Sequence, residues 1–156
     1  RMVCIDGILY QHGTKCYSIY PNVPDEMIVE QKFLKRMGNQ IGTYYGKSLA
    51  YRCGIIDQAP EKDYIISSTS VMEGFSDRRV GDTIIKVRRP YVQITNENYR
   101  IIEALNLLMF VVKLSSYRNK VEDYLIKEHI GMDLLEPYID LYPETIKKVT
   151  KVLFRE

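Results

Sequence analysis

The densest group of cations in this sequence lies between residues 78 and 89. Five basic residues share this stretch with a single carboxylate, that of Asp82; they are Arg78, Arg79, Lys86, Arg88 and Arg89. On an extended strand, Lys86 and Arg88 share one face because side chains alternate. Guanidinium groups bind phosphate bidentately and attract polyanions over long distances at low salt. The pattern indicates a ribbon that contacts phosphates, or alternatively a solvated edge strand whose charges oppose aggregation.

Residue spacing gives little support for catalysis. His12 and His129 lie far apart, without the local spacing of a metal site. The tripeptide GKS at 46–48 resembles only the end of a phosphate-binding loop, since the upstream glycine would have to replace Ile41. We therefore expect no catalytic residue, no metal and no cofactor. An enzyme of a defence system, with a site assembled only in three dimensions, remains an alternative hypothesis.

The cysteines and tyrosines suggest no site by themselves. Cys4, Cys16 and Cys53 form no C-x-x-C pair, which argues against a disulfide framework or a zinc ribbon, so we interpret them as buried thiols. The 13 tyrosines could stack on single-stranded nucleic acid, but no ribonucleoprotein motif organises them. Most of them are expected in the core or at interfaces.

Two strands are predicted to carry the cations. Residues 63–69 and 83–89 are rich in β-branched and aromatic side chains, and a connector with glycine, serine and charged residues joins them. We expect the two strands to pair in antiparallel fashion. Upstream, a small hairpin is expected near the amino terminus. An amphipathic helix should follow, beginning near Pro24 and ending at Gly38; its apolar positions are Met27, Ile28, Phe33, Leu34 and Met37.

A short helix is predicted over residues 44–52. Its inward positions are Leu49, Ala50 and Cys53. Gly54 suits the left-handed position that ends a helix, and Pro60 disfavours further helix. Gly46 is expected to allow a close approach by a neighbouring element.

The rest of the chain is predicted to be helical. Thr95 and Asn98 are typical of a helix start with a capping box, ahead of an apolar helix to residue 113. Further helices are expected over 116–129, ended by Gly131, then over 133–142 and from 143 or 144 to 154. Their short connections favour a packed bundle.

These elements predict an α+β fold, with a small basic hairpin or sheet packed on helices and a helical bundle at the carboxyl end. The 156 residues are 46% hydrophobic and carry a net charge of +2. Residues 1–94 hold 13 basic against 10 acidic residues, and residues 95–156 hold 9 against 10, so a polyanion-binding surface belongs to the first part. We expect a cytoplasmic protein, since no apolar run is long enough to span a membrane. The first residue, Arg1, suggests a fragment.

One segment carries a family resemblance. Between residues 46 and 60 the chain fits the pattern G-x-x-x-A-x-x-x-G-x-x-x-Q-x-P, at Gly46, Ala50, Gly54, Gln58 and Pro60. A strand, an arginine-bearing connector, a second basic strand and a Thr-x-Glu-Asn helix start follow. This order resembles the abortive-infection type IV antitoxin family, described as AbiEi-like predicted transcriptional regulators of phage defence, over about residues 15–105. Ile55 and Asp57 depart from the residues that the family usually has.

The resemblance implies a bacterial antitoxin. An amino-terminal winged helix would bind operator DNA and repress its own operon, and the following domain would counteract a nucleotidyltransferase-like toxin, with or without a stable complex. Residues 1–20 would then be a remnant of the wing, residues 21–113 the antitoxin core and residues 114–156 helices packed on it. The five motif residues would be structural, beside the basic hairpin as the working surface. A nucleic-acid-binding regulatory module without a toxin is the main alternative.

Overall fold

The computed structural model describes residues 2–5, 8–11, 23–113 and 115–154. Strands β1 (Met2–Ile5) and β2 (Ile8–Gln11) pair antiparallel. The expected amino-terminal hairpin is therefore confirmed. His12 and Cys16 lie outside the described residues. The assignment of residues 1–20 to a wing stays a prediction.

The first helix is shorter than predicted. Helix α1 (Asp25–Val29) continues as a π-helical turn (Glu30–Leu34), and the chain then forms a tight hairpin of β3 (Lys35–Arg36) and β4 (Asn39–Gln40). The prediction of a helix to Gly38 was wrong at this end. Met37 and Gly38 take left-handed φ angles of 51° and 83°, as the two-residue turn of a hairpin requires. Met37 is 86% exposed, so it does not join the core, although it lies at helical spacing from Phe33 and Leu34 in the sequence.

A four-stranded sheet forms the centre of the fold. Its strands are β5 (Gly42–Tyr44), β6 (Tyr64–Ser67), β7 (Ser76–Val80) and β8 (Thr83–Arg88), in the order β5-β6-β8-β7. The two predicted strands exist, but the prediction that they pair antiparallel was wrong, because β6 and β8 are parallel. The connector supplies the extra strand β7, which pairs antiparallel with β8 across a two-residue turn. Such a local hairpin closes at low entropic cost and leaves the other edge of β8 for β6.

The two faces of the sheet are covered differently. One face packs along α1 and the π-helical turn, in a cluster of buried residues formed by Ile28, Val29, Phe33, Leu34, Ile65, Val80, Ile85 and Val87. On the other face, helices α2 (Gly46–Arg52) and α3 (Tyr99–Lys113) form a core into which β6 sends Ile66. Within the described residues, β7 and β8 contribute no buried side chain to that second core.

The carboxyl half is helical, as predicted. Thr95 and Asn98 form the expected capping box, in which the Thr95 amide donates to Asn98 Oδ1 at 2.8 Å and the Asn98 amide donates to Thr95 Oγ1 at 3.2 Å. A 3₁₀ turn (Ser115–Tyr117) leads to α4 (Arg118–Lys127), α5 (Met132–Ile139) and α6 (Glu144–Leu153). Buried residues of these helices share one core with α3. The α+β fold with a carboxyl-terminal bundle is confirmed.

The end of α4 differs from the prediction that Gly131 stops the helix. His129 takes the left-handed conformation instead, with φ 57°. The His129 amide donates to the Ile126 carbonyl at 3.1 Å, and the Ile130 amide donates to the Leu125 carbonyl at 2.9 Å. This is the hydrogen-bond pattern of a Schellman motif, with histidine where glycine is usual. Among the helices described, none combines the length and the apolar character needed to cross a bilayer.

Candidate functional site

On the side of the sheet away from α1, the side chains of β7 and β8 are exposed or half-buried in the described part of the chain. Strand register places Asp77 opposite Lys86 and Arg79 opposite Ile84, and the parallel pairing places Tyr64 beside Lys86. Residues directly opposite one another project from the same face of a sheet. We use the term open face for the set that projects here together with the ring that precedes β7: Tyr64, Phe75, Asp77, Arg79, Ile84, Lys86 and Arg88.

Two cations on the open face differ in their pairing. Lys86 Nζ lies 2.9 Å from Asp77 Oδ1. This hydrogen bond lowers the pKa of the Asp77 carboxyl and raises the pKa of the Lys86 ammonium. Arg79 is exposed, and among the described residues no carboxylate lies within salt-bridge distance of it. Arg79 is thus available to an external anion.

The third cation, Arg88, is fixed by its neighbours. Its guanidinium carbon lies 4.4 Å from the centre of the Tyr91 ring and 5.8 Å from that of Phe75. Arg88 also donates to the Tyr91 hydroxyl at 3.1 Å and to the Arg89 carbonyl at 3.1 Å. Stacking together with hydrogen bonds restrains the guanidinium plane before any ligand arrives.

Not all five predicted cations lie together. Arg78 is opposite Ile85, on the face that packs along α1, so it points away from the other cations of the hairpin. Arg89 Nη2 pairs with Glu73 Oε1 at 2.7 Å beside a cavity of about 570 Å³. The structure therefore brings together Arg79, Lys86 and Arg88, with Arg89 at one edge.

The turn between β7 and β8 is anchored by a residue that is distant in the sequence. Oδ2 of Asp25 accepts hydrogen bonds from the Asp82 amide at 3.1 Å and from Thr83 Oγ1 at 2.8 Å. Gly81 takes a left-handed φ of 60°, and a Cβ at this position would lie 2.2 Å from Asp25 Oδ1. Sequence reasoning placed Asp25 at a helix start and missed this second role, because its partners lie more than 50 residues away.

An aromatic group borders the cations. The Phe75 ring centre lies 5.0 Å from that of Tyr64, edge to face, and 5.4 Å from that of Tyr45. Tyr91, which holds Arg88, lies 4.7 Å from the buried Tyr142. The sequence offered no periodic signal for this grouping, since the rings come from a loop, a strand and residues between elements.

The family-motif segment packs next to the sheet. Ser48 Oγ accepts a hydrogen bond from the Tyr64 amide at 2.8 Å, which ties α2 to β6. Ala50 is fully buried in the core. Gln58 is exposed and Pro60 is half-buried after the helix, as a turn requires.

The two motif glycines have conformational roles. Gly54 ends α2 with φ 77°, as predicted; its amide donates to the Tyr51 carbonyl, and the Ile55 amide donates to the Ala50 carbonyl at 2.8 Å. Gly46 was predicted to allow a close approach, which was wrong: no atom lies within 4 Å of a Cβ built there, and its φ of 58° explains the glycine. The close approach occurs at Gly42, where a Cβ would lie 2.8 Å from the Ile66 carbonyl oxygen.

A second cavity, of about 710 Å³, lies between α2, α3 and α4. Burial raises the pKa of the Glu103 carboxyl to about 6 and the pKa of the Cys53 thiol to about 11. Cys53 is therefore protonated at neutral pH and is a poor nucleophile. Arg100 at this cavity is paired with Glu128. In the described part of the chain, no group of three His, Cys, Asp or Glu side chains is arranged to hold a metal.

The chain matches no protein-family model, no curated protein and no solved structure. These comparisons therefore assign no function to the open face or to the cavity.

Proposed function

We propose that this chain is the antitoxin domain of an abortive-infection toxin–antitoxin pair, and that its open face contacts a phosphate-bearing partner. The observation that carries the proposal is the projection of Arg79, Lys86 and Arg88 from one sheet face whose reverse side is packed on α1. Cations that share one face of a sheet suit phosphate recognition, because the backbone has already brought them to the same side before binding. The toxin would be nucleotidyltransferase-like, as the family resemblance implies, and the chain itself would be cytoplasmic.

The motif segment supports the same proposal. Gly46, Ala50 and Gly54 form a short helix with a left-handed exit that packs against β6, the strand beside β8. This is the structural role that the resemblance assigns to the motif, next to the basic working surface. Binding of operator DNA would belong to an amino-terminal winged helix, and the described hairpin of β1 and β2 would be its remnant.

A regulatory module that binds nucleic acid without a toxin is the second candidate. The rings of Tyr64 and Phe75 beside the cations favour it, because aromatic side chains among basic residues are typical of nucleic-acid surfaces. Under this alternative the open face would keep its role, and protection against a toxin would be absent.

Co-expression with the product of the neighbouring gene, which the proposal expects to be a nucleotidyltransferase-like toxin, tests the proposal. The unmodified chain should restore growth, and a variant with alanine at all five hairpin cations, Arg78, Arg79, Lys86, Arg88 and Arg89, should not. Alanine at Lys147, Lys148 and Lys151 of α6, which removes three cations from another surface, is the control. Lys147 is paired with Asp140 at 3.0 Å, as expected of an ordinary solvated helix face, so growth should be retained. Failure of the unmodified chain to protect would favour the second candidate.

A further inference from the structure

We infer that the phosphate-bearing partner of the open face is single-stranded nucleic acid, with bases stacked on Phe75 and Tyr64 and phosphates held by Arg79 and Lys86. This inference rests on the proposed function, since it specifies the partner of the same site. It follows from three features of the face: the placement of its rings, the order of its cations and the anchoring of its turn.

The rings are placed where bases could reach them. Phe75 and Tyr64 are half-buried and meet edge to face at 5.0 Å, so each supports the other and keeps part of its surface open. Phe75 also lies 5.8 Å from the Arg88 guanidinium. Every base has a flat π-surface, so an unpaired base can stack on such a ring regardless of sequence.

The cations lie in line with the rings. Asp77 and Arg79 are two residues apart on β7 and share the open face, Phe75 comes two residues before Asp77, and Lys86 lies opposite Asp77 on the neighbouring strand. A strand of nucleic acid that crosses the face would meet a ring at one end and the exposed Arg79 at the other. Lys86 Nζ lies 2.9 Å from Asp77 Oδ1, so the ammonium group is already positioned on the open face before a phosphate binds.

The anchored turn argues against a duplex. A two-stranded β-ribbon reads double-stranded DNA by entering the major groove. Here the turn of the ribbon is bound to Asp25 on α1, and its tip presents the carboxylates of Asp25 and Asp82. One side of the ribbon is also packed on α1, so neither the tip nor both sides can enter a groove. Of the surfaces of this ribbon that the structure describes, the open face with its rings is the one left to bind nucleic acid.

Fluorescence anisotropy with three labelled probes tests this inference. The probes are an oligo(dT) strand of about 12 nucleotides, a duplex of the same length, and a strand of abasic deoxyribose phosphates of that length. The unmodified chain should bind oligo(dT) at least about tenfold more tightly than the abasic strand, since stacking is lost without bases. It should also bind oligo(dT) more tightly than the duplex.

Variants separate stacking from charge. Phe75→Leu should weaken oligo(dT) binding by about tenfold and leave the abasic strand unaffected, and Phe75→Tyr should restore binding because it keeps the ring. Arg79→Ala with Lys86→Ala should make the slope of log affinity against log salt shallower, by about 0.7 for each phosphate that the protein no longer neutralises. Lys148→Ala with Lys151→Ala removes the same charge from exposed positions on α6 and should change neither the affinity nor the slope.

Equal affinity for oligo(dT) and the abasic strand would overturn the inference, and so would tighter binding of the duplex. Full oligo(dT) affinity in a folded Phe75→Leu variant would overturn it too. None of these results would affect the proposed function, since protection of growth could still depend on Arg79 and Lys86. Conversely, oligo(dT) binding without protection would retain the inference and contradict the antitoxin.

Discussion

Asp25 and Thr83 are 58 residues apart in sequence, and their side chains form a hydrogen bond of 2.8 Å between Thr83 Oγ1 and Asp25 Oδ2. The same carboxylate oxygen accepts the amide of Asp82 at 3.1 Å. One side chain at the start of α1 therefore fixes the turn that joins β7 to β8. This contact adds to the buried apolar cluster that packs the sheet against α1.

A double-mutant cycle of Gly81→Ala with Asp25→Ala should measure how strongly Asp25 stabilises the turn. Alone, the alanine would push Asp25 out of its hydrogen bonds and occupy a left-handed conformation, so it should destabilise by about 2–3 kcal/mol. In the Asp25→Ala background the hydrogen bonds of Asp25 are already absent. Gly81→Ala should therefore destabilise this variant by only about 1 kcal/mol, the cost of the left-handed backbone. Denaturant unfolding of the four proteins measures the coupling. Strictly additive effects would contradict the anchored turn.

Gly54→Val should lower the melting temperature. Gly54 takes φ 77°, which a β-branched residue rarely adopts, although no neighbour lies within 4 Å of a Cβ at this position. Backbone strain alone should therefore cost about 1–2 kcal/mol, equivalent to about 2–8 °C in a chain of this size. Gly74→Val is the control, since Gly74 has a negative or extended φ and open space around it. An unchanged melting temperature for Gly54→Val would argue against the left-handed exit.

His129→Gly should stabilise the protein. His129 ends α4 with φ 57° and is exposed, so the substitution removes strain without loss of packing. We expect a gain of about 0.5–1 kcal/mol in the free energy of unfolding, because the entropic cost of glycine offsets part of the relief. His129→Ala keeps the strained backbone and should show no such gain. Chemical denaturation of the three proteins distinguishes strain relief from a general effect of losing the imidazole.

Glu103→Gln should change how stability depends on pH. Burial raises the pKa of this carboxyl to about 6 in the folded chain, above the ordinary 4.5. The folded state therefore binds the proton more tightly, and its contribution to stability is present below about pH 4.5 and lost as the pH rises through about 6. Glutamine abolishes this loss, so the variant should be more stable by about 1–2 kcal/mol at about pH 7 and little changed at about pH 4. Glu136→Gln, at an exposed position, serves as the control.

Local features of the fold could be predicted from the sequence. The capping box of Thr95 and Asn98 and the glycine exit at Gly54 involve residues at most five apart, so residue types alone specify them. The apolar alternation of Ile85 and Val87 likewise predicts which side of β8 is buried.

Long-range features could not be predicted. Residues 76–80 read SDRRV, whose charged and small residues have low strand propensity, and they form β7 only because β8 offers a pairing edge. When β7 is not recognised, the sequence predicts that β6 and β8 pair directly as a hairpin. It then gives no face for Arg78. The grouping of Phe75, Tyr64 and Arg88 depends on the same unpredicted pairing.

The most direct test of the central claim compares two variants that lose equal charge from different places. Arg79→Ala with Lys86→Ala removes two cations from the open face, whereas Arg78→Ala with Lys148→Ala removes one from the reverse face and one from α6. Growth should be measured on co-expression with the toxin, after thermal unfolding shows that both variants fold. We expect the first variant to lose protection and the second to keep it. Equal protection by both folded variants would contradict a working surface on the open face.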